Sequence, residues 1–224
     1  MIKRLALLCC ILLLPTIAAA QGTTNYGDFW VGGQAMGVFT LDRNVNVTGP
    51  FGFEFTSRNS ISTDAAFGAG AIVGYNFCMP YRPAWQRYFG VALDFSWNQF
   101  TQGWAPVKGN QFALTFLGRL QYPLMGSERF SRGRIVPFLM FGPSVGTNSD
   151  FSNFGSSSKI STDFALDAEV GVEFFICPQL SIGPSFRYRH VFGPSYEFQG
   201  VNVNIDTKGG LDHFMVLGRL AYHF

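Results

Sequence analysis

Long apolar runs are missing from this chain once its first twenty residues are passed. No later stretch holds the roughly 20 apolar residues that a membrane-crossing helix needs, which excludes helical spans. Charge is scarce as well: Asp, Glu, Lys and Arg make up 13% of the residues, against about 25% in ordinary globular domains. A net charge of +2 provides no basic field to attract a polyanion, so no nucleic-acid partner is expected. Cysteine is sparse, with Cys9 and Cys10 near the start and Cys78 and Cys177 far apart. Neither a metal site nor a cofactor is expected.

Aromatic carbon, in contrast, is plentiful: 17% of residues, with 25 Phe. The chain opens MIKRLALLCCILLLPTIAAAQG, with Lys3 and Arg4 ahead of an apolar run and Ala18-Ala19-Ala20 before Gln21. That is the layout of a secretory signal peptide, residues 1–20, cleaved after Ala20. Leu7 and Leu8 deny Cys9 the small neighbour that a lipoprotein cysteine requires. Residues 21–224 remain as one domain. An exported, aromatic-rich, charge-poor chain with no helical span must carry its hydrophobicity in another pattern.

Residues 164–175, FALDAEVGVEFF, show that pattern. Strand side chains point alternately to opposite faces, so Phe164, Leu166, Ala168, Val170, Val172 and Phe174 share one face while Asp167, Glu169 and Glu173 share the other. Similar stretches recur near 28–40, 64–77, 88–100, 111–122, 135–147, 162–176, 180–192 and 211–224. Each is at least as long as the 9–11 or so tilted residues that cross a bilayer. YFGVALDFSWNQF turns Phe89, Val91, Leu93, Phe95 and Trp97 outward and Ala92, Asp94, Ser96 and Asn98 inward. Segments 41–63, 101–110, 148–161 and 193–210 would be connections at one end and 78–87, 123–134 and 177–179 turns at the other, the first two of these longer than such turns usually are; an even strand count leaves both termini at the turn end. Trp97 and Trp104 mark one interface, and Tyr88, Tyr122 and Tyr222 the other.

The last strand, FMVLGRLAYHF, ends on an outward aromatic pair, Tyr222 and Phe224, which resembles the assembly signal of bacterial outer-membrane proteins. With the strand count, the whole mature chain resembles the small eight-stranded outer-membrane barrels: the OmpA-like transmembrane domain and its OmpX-like and OmpW-like relatives. The resemblance implies an all-β fold, an eight-stranded antiparallel up-and-down transmembrane β-barrel in a Gram-negative outer membrane. It also implies outer-membrane lipids, lipopolysaccharide and the outer-membrane assembly machinery as partners, and a monomer. No segment follows the barrel for a peptidoglycan-binding domain, so a wall-anchoring role is not expected.

Several motifs invite chemistry. GPSVG (142–146) fits the G-x-S-x-G nucleophile elbow, but that elbow needs a strand-to-helix turn, and here it lies within an alternating strand. Pro143 and Pro184 interrupt paired strands, where proline is normally confined to edges or bulges, so bulges are expected at both. GAGAIVG (68–74) lacks the spacing and the helix of a phosphate loop; inward glycines would make room for large side chains. His190 faces lipid near the outer rim with Glu197 nearby, a layout similar to outer-membrane lipid A deacylases. Those enzymes need a serine two residues after the histidine, and Phe192 stands there, so the chain is expected not to be an enzyme. Cys78 and Cys177 sit at the periplasmic mouth of an oxidising compartment, but their strands lie on opposite sides of the barrel. A bridge would need a flattened mouth or an inward-folded turn.

By parity the inward charges are Asp94, Asp167, Glu169 and Glu173 against Arg119, Arg187, Arg189 and Arg219. Equal numbers of each sign suggest pairing in a plugged lumen, since eight strands leave an interior just wide enough for side chains. A three-residue turn, Cys177-Pro178-Gln179, sets Glu169 opposite Arg187 and Asp167 opposite Arg189. Above the membrane, VNVTGPFGFEF (45–55) and YEFQGVNVNID (196–206) continue to alternate around Gly-containing bends. They read as hairpins whose edges could pair with a surface protein partner. The expected role is structural and adhesive; a narrow channel for small or hydrophobic molecules, as in OmpW-like relatives, and a lipid-modifying enzyme are the alternatives.

Overall fold

The computed structural model describes residues 28–42, 45–48, 54–57, 60–61, 66–77, 87–101, 108–127, 130, 133–151, 161–192, 195–198, 203–207 and 210–224. Residues 1–20, Cys78 and Trp104 lie outside the described residues. Among the described residues thirteen strands follow one another: β1 Asp28–Asp42, β2 Val45–Thr48, β3 Glu54–Ser57, β4 Ser60–Ile61, β5 Ala66–Asn76, β6 Phe89–Thr101, β7 Lys108–Gln121, β8 Ile135–Phe151, β9 Ser161–Cys177, β10 Leu180–Val191, β11 Ser195–Phe198, β12 Val203–Thr207 and β13 Leu211–His223.

Eight of them close on themselves. β13, β10, β9, β8, β7, β6, β5 and β1 pair in that order, and β1 pairs again with β13, all antiparallel. Closure satisfies every edge, and the lower end of the barrel is where β1 begins and β13 finishes. Alternation decides which side chains face in. Buried positions alternate with more exposed ones along β10, and along β13 from His213 onward. Phe67, Phe95, Phe116, Phe141, Val170 and Ile182 stand on the exposed outer face. Among the described residues no helix is long and apolar enough to cross a membrane; the strands do the spanning.

Glycines on β5 explain how β1 fits. Trp30 faces Gly74, Gln34 faces Gly70 and Met36 faces Gly68 across the ladder. A Cβ on Gly74 would lie 2.3 Å from the Trp30 ring, and one on Gly68 2.7 Å from Met36 Cγ. The stretch GAGAIVG is thus a column of vacancies matched to a column of large inward side chains.

The two prolines produce something other than bulges. Pairing of β7 with β8 lapses between Thr115↔Ser144 and Gly118↔Phe141, and of β9 with β10 between Ser185↔Gly171 and Ile182↔Phe174, yet the register is the same on both sides of each lapse. Proline has no N–H to give the facing carbonyl, and in both places a glycine precedes it. Cβ atoms on Gly142 and Gly183 would stand 1.8 Å from Phe116 O and 2.1 Å from Val172 O. The undonated carbonyl settles against a bare Cα, so no extra residue is needed. The register shift found in the β9–β10 hairpin lies at Leu180/Ser181, beside a two-residue turn at Pro178-Gln179. The three-residue turn expected from the sequence is therefore a shorter turn plus an irregularity, with the same pairing above it.

Outside the barrel the chain makes a second sheet. The β2–β3 and β11–β12 hairpins join through β2 and β12 into four strands ordered β11-β12-β2-β3. Because β1 and β13 are neighbours, the connections that follow β1 and precede β13 rise side by side. The sequence shows two hairpins; barrel closure makes them one sheet.

Candidate functional site

The inward positions of the middle strands hold a dense charge network. Arg187, fully buried, gives Asp94 two hydrogen bonds, Nη1 to Oδ1 at 3.1 Å and Nη2 to Oδ2 at 3.0 Å. Its Nε and Nη2 also reach Glu169 Oε2 at 2.9 and 2.6 Å. Arg219 donates to the other oxygen of Glu169 at 2.7 Å and to Gln34 Oε1 at 3.2 Å. The amide of Gln34 donates in turn to Asp94.

Above this, Arg189 grips Asp167 with two bonds of 2.8 and 2.7 Å and reaches Gln111 Oε1 at 3.1 Å. The Thr115 hydroxyl donates to Asp167 Oδ2 at 3.2 Å and lies 2.9 Å from the Ser144 hydroxyl. Below it, Arg119 forms a two-pronged pair with Glu173 at 3.0 and 2.7 Å. The Arg119 guanidinium lies over the rings of Trp30 and Phe138, 5.1 and 4.9 Å from their centroids. Two-pronged Arg–carboxylate contacts are among the strongest polar contacts in proteins.

The structure therefore brings together all eight inward charges read by parity, and Arg187↔Glu169 and Arg189↔Asp167 stand directly opposed. Two kinds of partner were not legible. Arg187 to Asp94 spans the lumen, and Arg119 to Glu173 and Arg219 to Glu169 skip a strand. Uncharged partners, Gln34, Gln111 and Thr115, extend the bonding, while Arg119 Nε and Arg219 Nε and Nη1 keep no hydrogen-bond partner. Chemically this arrangement neutralises and fills; it presents no exposed nucleophile and no ring of one sign.

The outward face carries a polar cluster near the upper end of β10. His190 Nδ1 lies 2.6 Å from Asp212 Oδ1, and Tyr188 donates its hydroxyl to the same oxygen at 2.7 Å. The carboxylate beside His190 is thus Asp212, brought by the β10–β13 ladder, where the sequence had pointed to Glu197. Phe192 packs edge-on against the imidazole at 4.7 Å. GPSVG remains within β8, not at a strand-to-helix turn. Cys177 is a free thiol. Among the described residues no group of His, Cys, Asp or Glu could hold a metal ion.

Aromatics stand at both barrel ends. Tyr88 and Tyr122 stack at 5.5 Å, Tyr222 and Phe224 meet edge-on at 4.9 Å, and Phe224 contacts Phe29 at 5.7 Å. Higher up, Trp97 donates to Asn110 at 3.2 Å.

Comparison with known proteins adds the family. Residues 6–208 match the model of the outer membrane protein beta-barrel domain. Among solved structures, OprG of Pseudomonas aeruginosa superposes with a TM-score of 0.60 at 19% identity, covering 89% of this chain and 97% of its own. AlkL, solved in lipid bilayers, gives 0.54 at 17% identity, covering 91% and 92%. The Neisserial surface protein A gives 0.53 at 12% identity, covering 88% and 97%. At these identities the likeness is one of fold. No curated protein sequence matches the chain.

Proposed function

Since the chain belongs to the outer membrane protein beta-barrel domain family, it resides in the outer membrane of a Gram-negative cell, and we propose that it acts there as a structural, surface-interaction protein of adhesion type. The observation that carries this reading is the four-stranded sheet beyond the barrel. Among the described residues, its outer strands β3 and β11 pair on one side only. An unpaired strand edge offers a row of N–H and C=O groups to an incoming extended chain, which gains affinity through main-chain hydrogen bonds.

The lumen supports the same reading. Four buried arginines pair with four buried carboxylates across the interior, and the wild type should conduct poorly. A catalytic role is disfavoured by Phe192, which occupies the place a nucleophile would need near His190. On this view the leader 1–20 is removed after Ala20 during export, and Tyr222 and Phe224 engage the outer-membrane assembly machinery. The working unit is a monomer among outer-membrane lipids and lipopolysaccharide.

The test replaces residues 45–55 with a short Gly-Ser link. The variant should fold, as shown by heat-modifiable migration, and lose binding to host cells or matrix proteins. Adhesion at wild-type strength by the folded variant refutes the reading. A large, steady wild-type conductance in planar bilayers would refute the filled lumen and favour a narrow channel for small or hydrophobic molecules.

A further inference from the structure

A groove of about 870 Å³ crosses the outward face of β7, β8, β9 and β10. It lies over the Gly142-Pro143 lapse, where the β7–β8 ladder loosens. Its lining is small at Gly118 and Ala168 and apolar at Phe116, Phe141 and Leu166, and it also touches Asp167, whose carboxylate is held by Arg189 in the lumen. The outward row Gly118–Phe141–Ala168–Tyr188 is set by successive ladders. It starts near the lower end of β7, which finishes at Gln121, and climbs to near the upper end of β10, at Val191. The groove therefore rises obliquely from the deep membrane toward the outer interface.

Its chemistry changes along the way. The lower part offers hydrocarbon and aromatic carbon. The upper end offers Tyr188 and His190, both turned to Asp212. Asp212 lies on the outward side of β13 by alternation, yet it is fully buried. A carboxylate at such a place is costly and points to a function. Here it fixes an imidazole whose side chain is 23% exposed. The backbone of Gly210 also comes close to that imidazole. It adopts φ +77°, and a Cβ there would stand 2.7 Å from His190 Cε1. The imidazole is thus set in place by a buried acid and a close backbone.

Apolar at depth and polar at the outer interface is the polarity of a lipid of the outer leaflet. A lipid of the inner leaflet would present its head at the opposite end, where the groove has only apolar walls. We propose that this groove holds one acyl chain of outer-leaflet lipopolysaccharide, with His190, oriented by Asp212 and Tyr188, hydrogen-bonded to the polar linkage at the head of that chain. The proposal rests on membrane placement alone and is independent of any surface partner.

The full mature chain, refolded in detergent, would be mixed with purified lipid A or with dioleoylphosphatidylglycerol at equal concentration. Native mass spectrometry then counts the lipids retained on heat-modifiable, folded protein. One lipid A should stay on the wild type, with at least tenfold less phosphatidylglycerol. Gly118→Leu should lower lipid A retention about tenfold, since a Cβ there meets nothing nearer than Phe141 O at 3.7 Å and the leucine fills the groove without pushing the strand. Ala168→Leu serves the same purpose should the first variant fold poorly. Gly218→Leu, at an outward glycine with no atom within 4 Å of its would-be Cβ and outside the groove, should retain lipid A like the wild type. His190→Phe should weaken retention several-fold. Equal retention of both lipids by the wild type, equal behaviour of the groove-filling and Gly218→Leu variants, or no effect of His190→Phe would each overturn the proposal.

Discussion

Arg187 is the side chain whose loss should cost the barrel most. Replacing it with alanine removes four charge-assisted hydrogen bonds at 2.6–3.1 Å and leaves two buried carboxylates behind. Neither is abandoned, because Asp94 keeps the amide of Gln34 and Glu169 keeps Arg219. Breaking a buried ion pair by removing one partner costs about 3–5 kcal/mol, and Arg187→Ala should fall in that range. Glu169→Ala should cost less, since Arg187 still holds Asp94 with two bonds. The double variant removes an arginine and a carboxylate together, so no net charge is stranded. It should be less destabilised than the sum of the singles by about 0.5–3 kcal/mol, the range for residues in direct contact. The assay is reversible urea unfolding in lipid vesicles, followed by tryptophan fluorescence, with folded fractions checked by gel migration. Strict additivity, or an Arg187→Ala variant within the roughly 0.5 kcal/mol scatter of neutral surface substitutions, would refute the coupled network and imply a water-filled lumen.

Three other perturbations have equally definite outcomes. Gly142→Ala should impair folding severely because its Cβ would meet Phe116 O at 1.8 Å, whereas Gly218→Ala should leave the urea midpoint unchanged. Gly74→Ala should destabilise by about 1–3 kcal/mol, the usual cost of overpacking, and Trp30→Ala should rescue part of that loss; if the two changes simply add, the glycine column is not what seats the tryptophan. Deleting Phe224 should lower the outer-membrane fraction of heat-modifiable barrel and leave more chain in the periplasm, and unchanged levels would count against Tyr222 and Phe224 as an assembly signal.

The strand pattern was readable because strands of a barrel keep period two along their length: a residue two places from Asp167 shares its side. Parity therefore separates Arg119 from Leu120 and Glu169 from Val170 with no knowledge of three dimensions. Opposed pairs such as Arg187 and Glu169 needed only the position of one turn. Arg187 with Asp94 was beyond that reach, since it depends on how a closed cylinder brings far strands face to face. Asp212 escaped for a different reason. By parity it belongs on the lipid side, where an acid is not looked for, and its partners Tyr188 and His190 are joined to it only by the β10–β13 ladder. At Pro143 and Pro184 the missing N–H points to a bulge, but the glycine before each leaves a bare Cα against which the facing carbonyl closes, so a bulge is unnecessary.

Period two also has a weakness, which the β5 glycines correct. Sliding β1 past β5 by two residues keeps every inward residue inward, so alternation cannot tell the right alignment from the wrong one. Moved that way, Trp30 would meet Ile72 or Asn76 instead of Gly74 and would have nowhere to lie. The large-to-small matching of Trp30, Gln34 and Met36 with Gly74, Gly70 and Gly68 therefore works as a key with unequal teeth. It admits one alignment of β1 on β5 where alternation alone would admit several.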